Sequence, residues 1–385
     1  MTDEILTGND EMKSAGGWVF TDQGVADGFK NVSQYWLPKT LTFEQGFEQI
    51  ALQKQGRTDV MTDVRGLTFA NGDKGVEVDL GGQKLQPTYW AARQLCRWLN
   101  VPSTLWGFYH AGDAGDRQVI VDAFQNGMRK FETEKQLLFR TYNDGTLRAV
   151  MSDSYSIVDN SWYLECLQEF IPGGRLSHFN FGDSDNFLGN VLIPDNIRSE
   201  EDSDYGGMLN CGNSEIGKRE VYQTPSIFRS ICMNGCVHGE RKGSELRQRH
   251  RGIDLVTFRE AIRINIEKQI PLLTTKIPVL IGSHGFPVTA SIMQVFACIS
   301  KQHGLNSEVT AAIGENWLKH SKEKSAFGVI DAITRAGQGF DAETWIQCDE
   351  IGGYILNGLS NFDVLNIRAK TFTEAEVQKA FGVSV

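Results

Sequence analysis

"QLLFRTYNDGTLRAVMS", residues 136–152, is the stretch on which the fold turns. Two strand-like runs flank Asn143-Asp144-Gly145, and Asp-Gly between such runs is the strongest short-range signal for a β-hairpin. An antiparallel hairpin is therefore expected near the middle of a 385-residue chain. Working outward, the period of the apolar residues changes on both sides.

Upstream, "TYWAARQLCRWLNVPSTLWGFY", residues 88–109, sets Tyr89, Ala92, Cys96 and Leu99 at helical spacing and breaks at Asn100 to Pro102. The outline resembles a helix-turn-helix. However, Trp90, Leu95, Trp98 and Trp106 make it apolar on more than one face, which predicts a buried scaffold helix. "DRQVIVDAFQNGMRKF", residues 116–131, reads as an amphipathic helix burying Val119, Ile120, Ala123, Phe124 and Met128. "GVEVDL", residues 75–80, alternates between glycine-containing turns, so short strands are expected over 46–87. Residues 1–45, rich in Gly and Asp, read as an arm of short loops.

Downstream, Asp159 or Asn160 is placed to cap a helix from about Ser161, and Pro172-Gly173-Gly174 ends it. Two alternating runs around 183–186 predict a second hairpin. "RSEEDSDYGG", residues 198–207, is acidic and ends in glycines, so a solvated loop is expected there, followed by a strand and turn in "MLNCGNSEIG". "LVTFREAIRINIEKQI", residues 255–270, places Leu255, Phe258, Ile262, Ile266 and Ile270 on one face and is expected to stop at Pro271. Further helices are expected near 288–303, 307–320, 325–337 and 342–357, and a last one from Thr373, with Glu376 completing a capping box. The whole pattern is α+β: a central antiparallel β-hairpin sheet with packed helices and a helical C-terminal third. It divides into an N-terminal arm and small β region (1–87), a central α+β core (88–270) and a helical region (271–385).

A hydrophobic share of 41% and a charged share of 22% belong to a globular chain. The net charge of -10 argues against a protein coated all over by nucleic acid, though not against one local basic groove. No apolar run reaches the roughly 20 residues a membrane span requires. The polar, acidic N-terminus has no signal-peptide pattern, and the seven scattered cysteines suit a reducing compartment. A cytoplasmic protein with no membrane partner is expected.

Cys232, Cys236 and His238, with Cys211 and His250 as further donors, are the only metal candidates, but the Cys-x3-Cys-x-His spacing lacks a second knuckle. Neither a metal nor another cofactor is expected. Phosphate-binding, dinucleotide, nucleophile-elbow and zincin signatures are absent. Glu215, Arg229 and His250 would make a general base and anion clamp if the fold brought them together. The clearer signal is basic. Arg229, Arg241, Lys242, Arg247, Arg249 and Arg251 face only Glu240 and Glu245 between residues 229 and 251, and Lys218 and Arg219 lie just upstream. Guanidinium groups on such a polar, Gly-bounded segment suit a phosphate backbone, and Arg259, Arg263 and Lys268 extend the stripe.

Four elements in order resemble the phage/plasmid-like protein family built on domain of unknown function 932. They are Ser152, Asp153, Tyr155 and Asn160; Asn213, Ser214, Glu215 and Gly217; Arg229, Cys232, Asn234 and Gly235; and His250. The resemblance spans roughly 90–350 and implies a role in the DNA metabolism of a mobile element, with no chemistry attached. Together with the basic segment it leads to an expectation of a non-enzymatic protein that binds nucleic acid, chiefly single-stranded DNA, in replication, recombination, annealing or protection, with homo-oligomers in view. Two alternatives stand: an enzyme on nucleic acid or nucleotides acting through Glu215, Arg229 and His250, and a virion or interaction protein that binds no DNA.

Overall fold

The structure, a computed structural model, describes residues 37–109, 112–131, 133–180, 186–200, 203–229, 234–237 and 245–383. Residues 1–36 of the arm expected over 1–45, and 183–185 of the expected turn, lie outside them, while the end of that expected arm is helical, a 3-10 turn at Leu37–Lys39 followed by the first helix. Within them the chain is α+β, with two six-stranded sheets and a helical C-terminal region.

The chain enters through helix α1 (Phe43–Lys54), which Thr42 and Gln45 close with a capping box. This helix falls where strands were expected, because the box and the buried Phe43 and Ile50 dock it on the second half of the molecule. Strands β1 (Arg57–Asp63), β2 (Thr68–Gly72), β3 (Gly75–Leu80) and β4 (Gln83–Pro87) follow, then helices α2 (Tyr89–Trp98), α3 (Ser103–Tyr109) and α4 (Ala114–Met128). The hairpin β5 (Gln136–Tyr142) and β6 (Thr146–Ser152) turns at Gly145, with φ of +79°, as its Asp-Gly predicted.

The first sheet has the order β1-β5-β6-β4-β3-β2, so strands from both sides of residue 87 share it. All its pairings are antiparallel except β4 with β6. One face packs on Ala91, Ala92, Leu95 and Cys96 of α2 and on Ile120, Val121 and Phe124 of α4. Thus α2 is the buried scaffold its composition implied. On α4, Val119 is 46% exposed, and Val121 takes its place in the buried stripe.

Helix α5 (Asn160–Phe170) returns the chain to α1, and the second sheet opens with β7 (Arg175–Asn180). Strands β8 (Asn186–Glu200) and β9 (Ser203–Ser214) form one long hairpin, so the acidic segment expected as a solvated loop is largely strand, in register from Ile197↔Gly206 to Glu200↔Ser203. Cross-strand pairing there overrides charge density, and Asp204 and Tyr205 are buried. Strands β10 (Val221–Arg229), β11 (Asn234–Val237) and β12 (Leu246–Gln248) complete the sheet, the last two both on the outer edge of β10.

Helix α6 (Leu255–Gly282) runs on through Pro271 and Pro278 and does not stop at the first. Phe258, Ile262, Ile266, Gln269, Leu273, Ile277 and Leu280 form one uninterrupted buried stripe, and that burial outweighs the lost helical hydrogen bonds. Beyond it lie α7 (Ile292–His303), α8 (Ser307–Asn316), α9 (Ala326–Gly337), α10 (Ala342–Asn357), α11 (Phe362–Lys370) and α12 (Glu374–Ala380). The capping box at Thr373 and Glu376 forms as read, whereas α11 has no counterpart among the expected helices. These helices share one core with the second sheet, and among the described residues no helix is long and apolar enough to cross a membrane.

Candidate functional site: a cationic groove at the sheet junction

The two sheets meet at the Asn213–Gly217 turn that leaves β9. Ile216 at its tip packs on Leu138, Ala149 and Met151, on the face of the first sheet that the α2 and α4 core leaves free. Its carbonyl accepts hydrogen bonds from Trp90 Nε1 and Gln94 Nε2, both at 2.9 Å. Gly217, at φ of +72°, lets the turn double back while its Cα lies against the Tyr155 ring, and a side chain there would be strained.

Glu215 is the hub beneath this turn. It is 3% exposed, receives Arg57 Nη1 at 2.7 Å, and accepts the Asn160 backbone N–H at 2.6 Å. Arg57 also reaches Asp159 at 3.0 Å, and Lys54 Nζ approaches the same carboxylate at 3.0 Å. Arg140, fully buried within the first hairpin, forks onto both oxygens of Asp59 at 2.8 Å and donates to the Glu215 carbonyl. Three cations thus face three carboxylates across the seam. Burial pushes the Glu215 carboxyl above its ordinary range, against the Asn160 N–H, Arg57 and Arg140. Burial also works to raise Asp159, but Arg57 and Lys54 outweigh it and hold that carboxyl below the usual range. Arg140 stays charged despite burial because Asp59 and Glu215 compensate it.

Most residues of the family pattern meet here. Asn213 Nδ2 donates to the Val158 carbonyl and to Asn160 Oδ1, both at 2.8 Å. Ser214 Oγ accepts from the Lys218 N–H at 3.0 Å, and the Tyr155 hydroxyl donates to the Ser214 carbonyl at 2.8 Å. His250 stacks on Tyr155 at 4.9 Å and 10°, its Nδ1 at 3.1 Å from the Ser156 carbonyl. The carbonyl contact assigns the ring proton to Nδ1. Nε2 is then buried without a well-formed hydrogen bond, although the Arg219 main chain adds a weak attraction to the charged ring. Burial is the main reason the imidazole sits below its ordinary 6.5. Ser152 and Asp153 lie above the junction, on the rim of a groove.

That groove has a volume of about 1190 Å³ and runs between the two sheets. Arg97 and Trp98 of α2 and Lys135 just before β5 edge it on the first sheet's side and Lys218, Arg219, Arg247, Arg249, His250 and Arg251 on the second's, with α10 contributing Ile346 and Glu350. Among the described residues Arg97, Lys218, Arg219, Arg249 and Arg251 make no ion pair with a carboxylate. Arg247 differs, since Glu245 at 2.5 Å and Glu220 at 3.0 Å already hold it. Arg259 pairs with Glu169, and Arg263 with Glu260 and Glu267, so neither extends a free basic stripe along α6.

Arg229 is absent from this junction. It lies opposite Tyr205 at the far end of β9 and β10, roughly 30 Å of strand away from Glu215. There it binds Asp331 of α9 at 2.8 Å and lies over the Phe327 ring. The triad of Glu215, Arg229 and His250 therefore does not converge. Cys232, His238, Arg241 and Lys242 lie outside the described residues, while Asn234, Gly235 and Cys236 fall in β11. Cys211 is buried, its Sγ 3.7 Å from the Leu209 carbonyl, and among the described residues no three metal-ligating side chains gather.

Sequence reasoning missed Arg57, Asp59, Arg140, Gln94, Arg97 and Lys135. Arg140 carried a detectable signal, a lone cation in the apolar run "QLLFRTY", where only a buried partner permits it. The others are polar residues on polar faces, and only the fold reveals what they touch. Comparisons of the chain with protein-family models, with curated proteins and with solved structures find no match to any of them, so the family resemblance rests on the motif residues alone.

Proposed function

We propose that the groove binds a nucleic-acid backbone and that the protein contacts single-stranded DNA, in the replication, recombination or protection of mobile-element DNA. The observation that carries this reading is the set of rim cations without carboxylate partners, Arg97, Lys218, Arg219, Arg249 and Arg251, in a chain of net charge -10. Such charges are set apart for an external polyanion, and the acidic remainder repels one elsewhere. Trp98, half-buried on the groove wall, offers a ring face that suits unpaired bases over a closed duplex.

Electrophoretic binding of single- and double-stranded oligonucleotides across a salt series tests this reading. Affinity for single strands is expected to fall steeply with salt. Arg249→Glu combined with Arg251→Glu should flatten the logarithmic slope by about 1.4, at about 0.7 per lost phosphate contact. Absence of binding to every oligonucleotide at low salt sinks the proposal. An enzymatic reading gains nothing from the geometry, because Glu215 is consumed by Arg57 and the Asn160 N–H and Arg229 lies elsewhere.

A further inference from the structure

The floor of the groove is polar in a way that the seam does not need. Ser177 of β7 stands opposite Asn190 of β8, Asn190 opposite Asn210 of β9, and Asn210 opposite Thr224 of β10. Directly paired residues project from the same face of a sheet, so the four make one row across four strands, of which Asn210 and Thr224 line the groove and Ser177 and Asn190 continue it out of solvent. Tyr222 and Ser226, two residues to either side of Thr224, share that face. The opposite face, represented by Gln223, turns to α6, where Asn265 meets it at 3.1 Å.

Few of these polar groups are satisfied. Both amide atoms of Asn190 are buried without a hydrogen-bond partner, as are the hydroxyls of Ser177 and Ser226. The Tyr222 hydroxyl is in the same state, with the Arg219 guanidinium alongside but outside hydrogen-bonding geometry. Asn210 and Thr224, each 5% exposed, form no side-chain hydrogen bond and open into the groove together with Tyr222. Gly212 is shaped to this floor. A Cβ there would come within 2.2 Å of the Tyr222 ring, so the ring lies flat over the strand only because the position is glycine.

A buried polar group without a partner is costly, and the groove end of this row, where Asn210 and Thr224 stand beside the unpartnered Tyr222 hydroxyl in a cation-rimmed cleft, calls for a compensating ligand. We infer that this row reads the hydrogen-bonding edges of nucleobases, Asn210 and Thr224 making first contact while the rim holds phosphates. The inference rests on the proposed polyanion function and adds a base-specific component to it. Asparagine presents a donor and an acceptor side by side, the arrangement that pairs with the adjacent nitrogen positions of adenine. Adenine is accordingly the base the floor should prefer.

The test is binding of the full-length protein to oligo(dA), oligo(dC), oligo(dT) and an abasic strand of equal length. Oligo(dA) is expected to bind about tenfold more tightly than oligo(dC) or oligo(dT), the size of one bidentate base contact, with the abasic strand weakest. Asn210→Leu should erase the preference for adenine while leaving the salt slope unchanged, which separates it from a rim variant. Thr224→Val removes only a hydroxyl at nearly constant volume, so it repeats the test should Asn210→Leu fail to fold. Equal affinity for all four strands, or a preference untouched by both substitutions, would make the row a solvated seam and overturn the inference. Absence of binding to any strand overturns the polyanion proposal with it. Salt-dependent binding without base preference leaves that proposal standing and removes only this one.

Discussion

Arg140 and His250 show how much of this molecule depends on single buried groups. Replacing Arg140 by Met leaves the buried Glu215 carbonyl without its donor and frees Asp59 at the outer end of the guanidinium, and a buried acceptor left unpaired costs about 1–3 kcal/mol. Urea denaturation should show a loss of that size, with a smaller one for Arg65→Met, because Arg65 is itself exposed to solvent whereas Arg140 is fully buried. His250 carries a pH signature. Its imidazole is held below 6.5, so the fold favours the neutral ring, and the contribution is complete above the unfolded value. Stability should decline as pH falls through 6.5 toward the lower folded value, and His250→Phe, which keeps the stack on Tyr155, should flatten the decline in a urea series. A decline of equal steepness in the variant would assign it to another group.

Among the elements, α6 is where chain-local rules give way. Pro271 is exposed on a helix whose opposite stripe is buried from Phe258 to Leu280, so the proline interrupts the backbone ladder without disturbing the core. The Thr274 hydroxyl bonds the Ile270 carbonyl and the Thr275 hydroxyl the Leu272 carbonyl, within the first turn after the break. Pro271→Ala should raise stability by up to about 3 kcal/mol, the propensity difference in a helix interior, as read from thermal or urea midpoints. The β8–β9 hairpin is the counterpart among strands. Its acidic end pairs in register because Tyr205 is buried there and Arg229 lies over its ring.

At the scale of the whole molecule, the two sheets are joined by the Asn213–Gly217 turn, the charge cluster beneath it and the pairing of Tyr155 and Ser156 with His250 and Arg251, and the groove is the space their junction leaves. Its positive rim draws on segments far apart in sequence, Arg97 of α2 and Lys135 before β5 on one side and Lys218, Arg219, Arg249 and Arg251 on the other. Nearness in sequence within the basic segment does not make its members equivalent. Arg247→Ala should leave the salt dependence of oligonucleotide binding almost unchanged, because Glu220 and Glu245 already neutralise it. Lys218→Glu with Arg219→Glu should flatten the slope to about the same extent as the pair at 249 and 251.

The sequence by itself determined the mixed class, the Asp-Gly hairpin, the scaffold character of α2, the last capping box and the helical C-terminal region. Each depends on a period or a turn residue that acts over a few positions. Of the motif residues the sequence singled out, Tyr155, Asn160, Asn213, Ser214, Glu215, Gly217 and His250 gather at the junction, Ser152 and Asp153 lie on the groove rim, and Arg229 does not join them. Only the tertiary structure decided which charges are already paired and which remain for a ligand. Arg229 and Arg247 look like Arg249 on paper, but Asp331 lies 102 residues from the first and Glu220 lies 27 from the second. Local patterns cannot encode partners at such separations, because pairing there depends on how strands and helices pack, whereas turn and helix signals depend on a residue's own neighbours.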